Sequence, residues 1–170
     1  MAYIEKPLTF PSGGFELSAH IHIAPTRTRY TAFMLHGFTD NKIEVNRLFI
    51  DIARALCRNG VAVFRFDYRG HGESPLDFEE FRFEYAVEDP ENALKYVRET
   101  YRPEKLFLIG LSMAFNSIYR IPSRHTWRAT TSQPSWIHFQ FHLSDSSGGQ
   151  DAGDQGDARE LSIPFIGFKH

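Results

Sequence analysis

Three short stretches carry residue types from which a nucleophilic site could be built. Gly110-Leu111-Ser112-Met113-Ala114 sets a serine two residues after a glycine and two before an alanine. If the chain leaves a strand there and turns into a helix, the serine hydroxyl stands above the sheet. The new helix then offers unpaired N–H groups and the positive end of its dipole. Those features suit a nucleophile whose tetrahedral intermediate carries an oxyanion. Strand and helix approach closely at such a turn, so both flanking positions must be small. Gly110 satisfies this, and Ala114 departs from the strict G-x-S-x-G pattern by one methyl. His36-Gly37-Phe38 is a turn able to bring the Phe38 N–H toward Ser112, where with the Met113 N–H it would form a two-donor oxyanion hole. Each stretch also has a plainer reading. A serine after a buried strand serves as a helix cap, and His-Gly serves as a strand-ending turn. Arg69-Gly70-His71-Gly72-Glu73-Ser74 reads as a flexible turn, and Pro75 at the third-glycine position excludes a dinucleotide fingerprint.

Other histidines fall in pairs. His20-x-His22 sits at strand spacing, and His138 and His142 alternate with Ile137, Phe139, Phe141 and Leu143; ring nitrogens on a solvated strand face are the simpler account of both than a catalytic or metal role, and no further ligands cluster near the first pair. Acids that could orient a catalytic base lie late in the chain, at Asp145, Asp151, Asp154 and Asp157. Only His170 follows them; His125, His138 and His142 come before.

The elements that must position these residues are legible over the first two thirds of the chain. Pro7–Phe10 and Phe15–Ile23 are strand-like runs joined through Ser12-Gly13-Gly14, a hairpin signal. Thr31–Leu35, Val61–Phe66 and Leu106–Ile109 are short apolar runs with the character of buried strands. Between the first two, Val45, Leu48, Phe49, Ile52, Ala53 and Leu56 form a helical apolar stripe, with Glu44, Arg47, Asp51, Arg54 and Arg58 on the opposite face. Asn59-Gly60 closes that helix. Asp89-Pro90 reads as an N-cap followed by a proline at the first helical position. Ala93, Leu94, Val97 and Tyr101 form the buried stripe of this second helix. Apolar strands alternating with amphipathic helices predict an α/β fold: a mostly parallel sheet with helices on both faces, and an antiparallel hairpin at its N-terminal side. In such sheets ligands bind beyond the carboxyl ends of the strands, and all three candidate stretches lie at those ends.

The ordered series MLHGF, FDYRGHGES and LFLIGLSM, with these elements between, resembles the amino-terminal half of the α/β-hydrolase superfamily. Within it the sequence is similar to small bacterial serine esterases of the cinnamoyl/feruloyl esterase-like group, near the serine aminopeptidase and monoacylglycerol-lipase-like hydrolases. The resemblance runs from about Lys6 to Met113. It implies a truncated α/β-hydrolase fold and hydrolysis of a small-molecule carboxylic ester through an acyl-enzyme. Ser112 would be the nucleophile, the Phe38 and Met113 amides would form the oxyanion hole, and no metal or organic cofactor is implied. His36 and Arg69–Ser74 would shape the crevice rather than do chemistry. Phe38, Tyr68, Phe78, Phe81 and Phe83 would suit an apolar acyl pocket, although with 16 phenylalanines in the chain ordinary packing accounts for any one of them. The family continues with an acid after a seventh strand and a histidine after an eighth. Here the match ends after Met113, where Ala114-Phe115 replaces a Gly-Gly pair, a break that a frame change or a truncated gene would produce. The alternative to an esterase is therefore a catalytically incompetent fragment that at most binds a ligand or a partner.

The chain divides accordingly into a hydrolase-like core at 1–119 and a divergent tail at 120–170. All five valines lie at or before Val97. The stretch 144–157 uses only Ser, Gly, Asp, Gln and Ala and is expected to be disordered. Trp136–Ser144 alternates apolar and polar residues as a strand does, and Trp136–Leu143 or another tail segment is needed to pair with Leu106–Ile109. Left open, that apolar edge would favour self-association. A net charge of −2 over 170 residues argues against nucleic acid or an anionic membrane held by bulk charge. The single cysteine, Cys57, excludes an intramolecular disulfide. The start lacks a basic segment followed by an apolar one, and no apolar run approaches a membrane span, so a cytoplasmic location is expected.

Overall fold

The computed structural model describes residues 3–23, 30–114, 128–131 and 137–141. Strands β1 (Ile4–Ser12) and β2 (Phe15–Ile23) form the expected hairpin, followed by β3 (Tyr30–Leu35), α1 (Leu48–Arg58), β4 (Val61–Phe66), α2 (Tyr85–Tyr101) and β5 (Lys105–Leu111). Two further strands, β6 (Arg128–Thr131) and β7 (Ile137–Phe141), complete the described elements. They join one sheet in the order β1-β2-β4-β3-β5-β7-β6. The centre, β4-β3-β5, is parallel. The flanking pairs β1–β2, β2–β4, β5–β7 and β6–β7 are antiparallel, so the sheet is mixed.

Alternation along the strands sends side chains to two cores. Phe33 and Leu35 of β3, with Phe64 and Phe66 of β4, pack with Phe10, Leu106, Leu108 and the Ala93, Leu94 and Val97 stripe of α2. Ala32 and Met34, with Val61 and Val63, pack on the other face against Phe49, Ala53 and Leu56 of α1. The central strands are thus apolar on both faces, as a helix-covered sheet requires. Each fully buried phenylalanine contributes roughly 1.5–3 kcal/mol of burial. The rings of Phe10 and Phe66 meet edge to face at 5.3 Å, an arrangement aromatic quadrupoles favour.

Two boundaries differ from the sequence expectation. Helix α1 begins at Leu48, not at Val45. Asn46 and Arg47 take positive φ values of 53° and 63°, which interrupts the helical period, and Val45 is 64% exposed instead of buried. Glu44, expected on the solvated helix face, lies outside the helix and is buried. Helix α2 begins at Tyr85, so Asp89 is not its N-cap and Pro90 lies inside it. As the sixth residue of α2, Pro90 lies past the N–H groups a helix start leaves free, so it removes one backbone bond of the helix, to the Ala86 carbonyl. The Asp89 carboxylate is instead fully buried. It accepts from Ser12 Oγ at 2.6 Å and from Arg69 N and Nε at 3.0 and 2.8 Å.

Of the tail, only β6 and β7 belong to the described residues. The strand expected over Trp136–Ser144 is present as β7 and covers the edge of β5. The expected disorder at 144–157, and the candidate triad members Asp145, Asp151, Asp154, Asp157, His125, His142 and His170, lie outside the described residues. Among the described residues no helix is long and apolar enough to cross a membrane.

Candidate active site

Parallel pairing of β3 with both β4 and β5 brings three strand ends side by side: Leu35 is in register with Gly110, and Met34 with Arg65. The chain leaves these ends as His36-Gly37-Phe38, Asp67-Tyr68-Arg69 and Ser112-Met113-Ala114, so the three candidate stretches share one rim. Ser112 directly follows β5, takes a φ of 50° and is exposed. A non-glycine residue in that left-handed region costs about 1 kcal/mol, an outlier of the kind that gathers at functional turns. Met113 and Ala114 turn back beneath it into the α2-side core. The Ala114 methyl, which broke the strict elbow pattern, is fully buried there.

Gly37 crosses close to this turn. A Cβ at Gly37 would meet Glu44 Oε1 at 3.5 Å, Ser112 Cβ at 3.6 Å and the Leu111 carbonyl oxygen at 3.8 Å. The Gly37 N–H donates to Glu44 Oε1 at 2.5 Å. Glu44 holds φ 62° and ψ 166°, a conformation that is essentially glycine's alone. Burial, opposed by the Gly37 N–H and reinforced by the hydrogen-bonded Asp40 carboxyl, pushes the Glu44 carboxyl up to about 7.

His36 is fully buried beneath the rim. Its Nδ1 lies 2.7 Å from the Gly37 carbonyl oxygen, and its Nε2 accepts from the Tyr68 N–H at 3.3 Å, so one neutral tautomer satisfies both contacts. Burial lowers its pKa to about 4. With both nitrogens committed, His36 supports the turn. Burial likewise lowers the pKa of His71, whose ring packs on Phe81 at 4.7 Å.

The loops after β3 and β4 are tied together by charge. Asp67, fully buried, accepts from the Lys42 N–H at 2.6 Å, from Lys42 Nζ at 2.5 Å and from the Glu73 N–H at 2.8 Å. Lys42 Nζ also reaches Glu73 at 2.7 Å. Gly72 has φ 55°, and a Cβ there would overlap the Asp67 carboxylate, so this turn requires glycine.

Of the expected aromatic set, Tyr68 is fully buried in the core and cannot line an acyl pocket. Phe38, Phe78 and Phe83 are 42%, 43% and 68% exposed and gather with Phe81 around the Phe38 ring. A cleft of about 270 Å³ beside them is lined by Thr39, Asp40, Asn41, Gly70, His71, Gly72 and Phe78. Ser112 is not among its lining residues. Among the described residues no group of three or more His, Cys, Asp or Glu side chains is arranged to hold a metal ion. Sequence reasoning missed Glu44 and Lys42 as site-building residues and gave Asp67, which it placed at a strand end, no structural role. Their partners are the Gly37 and Lys42 N–H groups and side chains on other loops, and nothing in their spacing marks a buried carboxylate. The Asp67-to-Glu73 interval in a glycine-rich run was the nearest signal.

The family described as serine aminopeptidase, S33, matches residues 26–115, just over half of the chain. No curated protein matches. Among solved structures, the ferulic acid-bound Est1E from Butyrivibrio proteoclasticus superposes with a TM-score of 0.62 at 22% identity, covering 67% of this chain and 46% of that one. A cold-adapted esterase from an Arctic intertidal metagenomic library gives 0.59 at 20% identity, over 71% of this chain and 56% of that one. The Pyrococcus furiosus esterase Pf2001 gives 0.57 at 20% identity, over 66% and 42%. This chain therefore spans about half the length of the structures it resembles. They share its fold, and the family match reaches from just before β3 through the Ser112 turn: the chain belongs to the serine aminopeptidase, S33, family of α/β hydrolases.

Proposed function

We propose that the chain carries the nucleophile half of a serine hydrolase acting on small carboxylic esters. Ser112 Oγ attacks the ester carbonyl, the alkoxide of the alcohol departs with a proton, and the acyl group stays on the serine until water releases it. The Phe38 and Met113 N–H groups receive the oxyanion. The observation that carries this reading is the exposed Ser112 at φ 50° on the end of β5, with the Gly37 backbone against its Cβ. Esterase names among the structural neighbours support the ester as substrate class.

The competing reading is a fragment that binds ligands without turnover. It is favoured by the committed state of His36, whose two ring nitrogens are both engaged within the turn. A serine without its base retains only the residual catalysis of binding and the oxyanion hole. A short-chain p-nitrophenyl ester separates the readings. An acylation burst in the natural chain, abolished in Ser112→Ala, is the expected outcome. Equal rates in the two proteins would establish the fragment reading.

A further inference from the structure

Glu44 has no part in the acyl transfer described above, yet three features converge on it. Its backbone occupies a region that belongs to glycine. Its side chain is 4% exposed. Its Oε1 receives the N–H of Gly37, the residue whose Cα faces Ser112. A glutamate persists in a glycine conformation only where the side chain repays the strain, and here the side chain grips the turn that carries the Phe38 amide. We infer that Glu44 is a positioning residue: its buried carboxylate anchors the Gly37–Phe38 turn through the Gly37 N–H, so that the hold on that turn follows the charge of this one group. This rests on the reading of Ser112 and Phe38 as nucleophile and oxyanion donor.

The physical basis is a bond between an ionised acceptor and a backbone donor, which is shorter and stronger than its neutral counterpart. As the Glu44 carboxyl loses its proton the Gly37 bond tightens, and as it gains one the bond weakens. Other charged and titratable groups face this turn from each neighbouring element. On the same loop, Lys42 is spent on Asp67 and Glu73. From the end of β3 comes His36, held neutral by burial. From the loop after β4 come Asp67, engaged by Lys42, and His71, packed among aromatic rings. From the end of β5 the atoms nearest Gly37 are the Ser112 Cβ and the Leu111 carbonyl oxygen, neither of which titrates in this range.

The test uses the full chain, isotope-labelled, with Glu44→Gln and Glu44→Gly. Glycine relieves the backbone strain while deleting the carboxylate, so that variant is expected to melt no lower than the natural chain. In the natural protein the Gly37 amide proton should move downfield as pH rises, with a midpoint within about one unit of the value near 7 reached by Glu44. Glu44→Gln should keep the protection of that amide and abolish the transition. Glu44→Gly should speed its hydrogen exchange by about tenfold or more, the loss of one charge-assisted bond. An unchanged transition in Glu44→Gln, or unchanged exchange in a folded Glu44→Gly, overturns the inference. Should Glu44→Gly not fold, the Gln comparison still decides. Labelling of Ser112 by a fluorophosphonate, run alongside, reads the nucleophile separately: its failure would sink the hydrolase reading while the Gly37 resonances still judge Glu44.

Discussion

At the scale of single residues, the sheet holds buried groups whose protonation differs between fold and unfolded chain; His22 on β2 is one of them, fully buried and not on the solvated strand face its spacing suggested. His36 and His22 are both lowered to about 4, chiefly by burial, from an ordinary value of 6.5. The folded state thus binds fewer protons than the unfolded chain between those values. The stability tied to them is complete above about pH 6.5 and is lost as pH falls toward 4. For His36 alone the shift corresponds to roughly 3 kcal/mol. Glu44 acts in the opposite sense. Its raised pKa means the fold takes up a proton between about 7 and 4.5, so acid relieves it. Two histidines against one carboxyl leave a net loss on acidification. The melting temperature should therefore fall from near pH 6.5 downward, with the His36 ring resonances still unprotonated at about pH 5.5. A His36 ring that titrates near 6.5 would mean the imidazole is hydrated, and the support it gives Gly37 would have to be abandoned.

At the scale of elements, one buried carboxylate joins three parts of the fold. Asp89 on α2 receives Ser12 from β1 and Arg69 from the turn after β4, and the Arg69 guanidinium lies over the Tyr85 ring at 3.9 Å. Asp89→Ala would strand the 3% exposed Arg69 with only the half-exposed Glu88 as counter-charge. Removing one partner of a buried pair typically costs about 3–5 kcal/mol. We expect a loss of that order by chemical denaturation for the alanine variant and a smaller one for Asp89→Asn, which can still accept from Ser12 or Arg69. Equal stability of Asp89→Ala and the natural chain would show that this junction does not hold α2 to the hairpin. The same residue shows where sequence reading reaches its limit. Strands β2 and β4 were legible to the residue because apolar runs and the Gly13-Gly14 turn are local signals. The Asp89-Pro90 pair carries a local helix-start signal as well, but the long-range demand of Ser12 and Arg69 for a carboxylate outweighs it, and the helix begins one turn earlier. Glu44 was misread for the same reason. By periodicity it belongs to a helix face, and only closure of the loop onto Gly37 removes it from solvent. The Ser112 turn was legible because strand, serine and small residues lie together in five positions.

At the scale of the molecule, the question is what the sheet does with its edges. The apolar edge of β5 is satisfied by β7, paired from Leu108↔Gln140 to Leu111↔Ile137, so the strand bearing Ser112 is internal. Among the described strands the outer ones are β1 and β6. Pro7 and Pro11 remove two N–H donors from β1, a common protection against edge-to-edge pairing. Strand β6 is only four residues long. A second copy adding to it gains about four backbone hydrogen bonds, each worth roughly 1 kcal/mol net, which corresponds to a dissociation constant of about 1 mM. We therefore expect self-association that is weak and concentration-dependent, read by sedimentation equilibrium as a monomer at about 10 µM and a growing dimer fraction toward 1 mM. A tight dimer at low micromolar concentration would require about 4 kcal/mol beyond what this edge can supply. The exposed rings of Phe38, Phe78 and Phe83 would then be the surface to mutate, and the strand-edge account would fail.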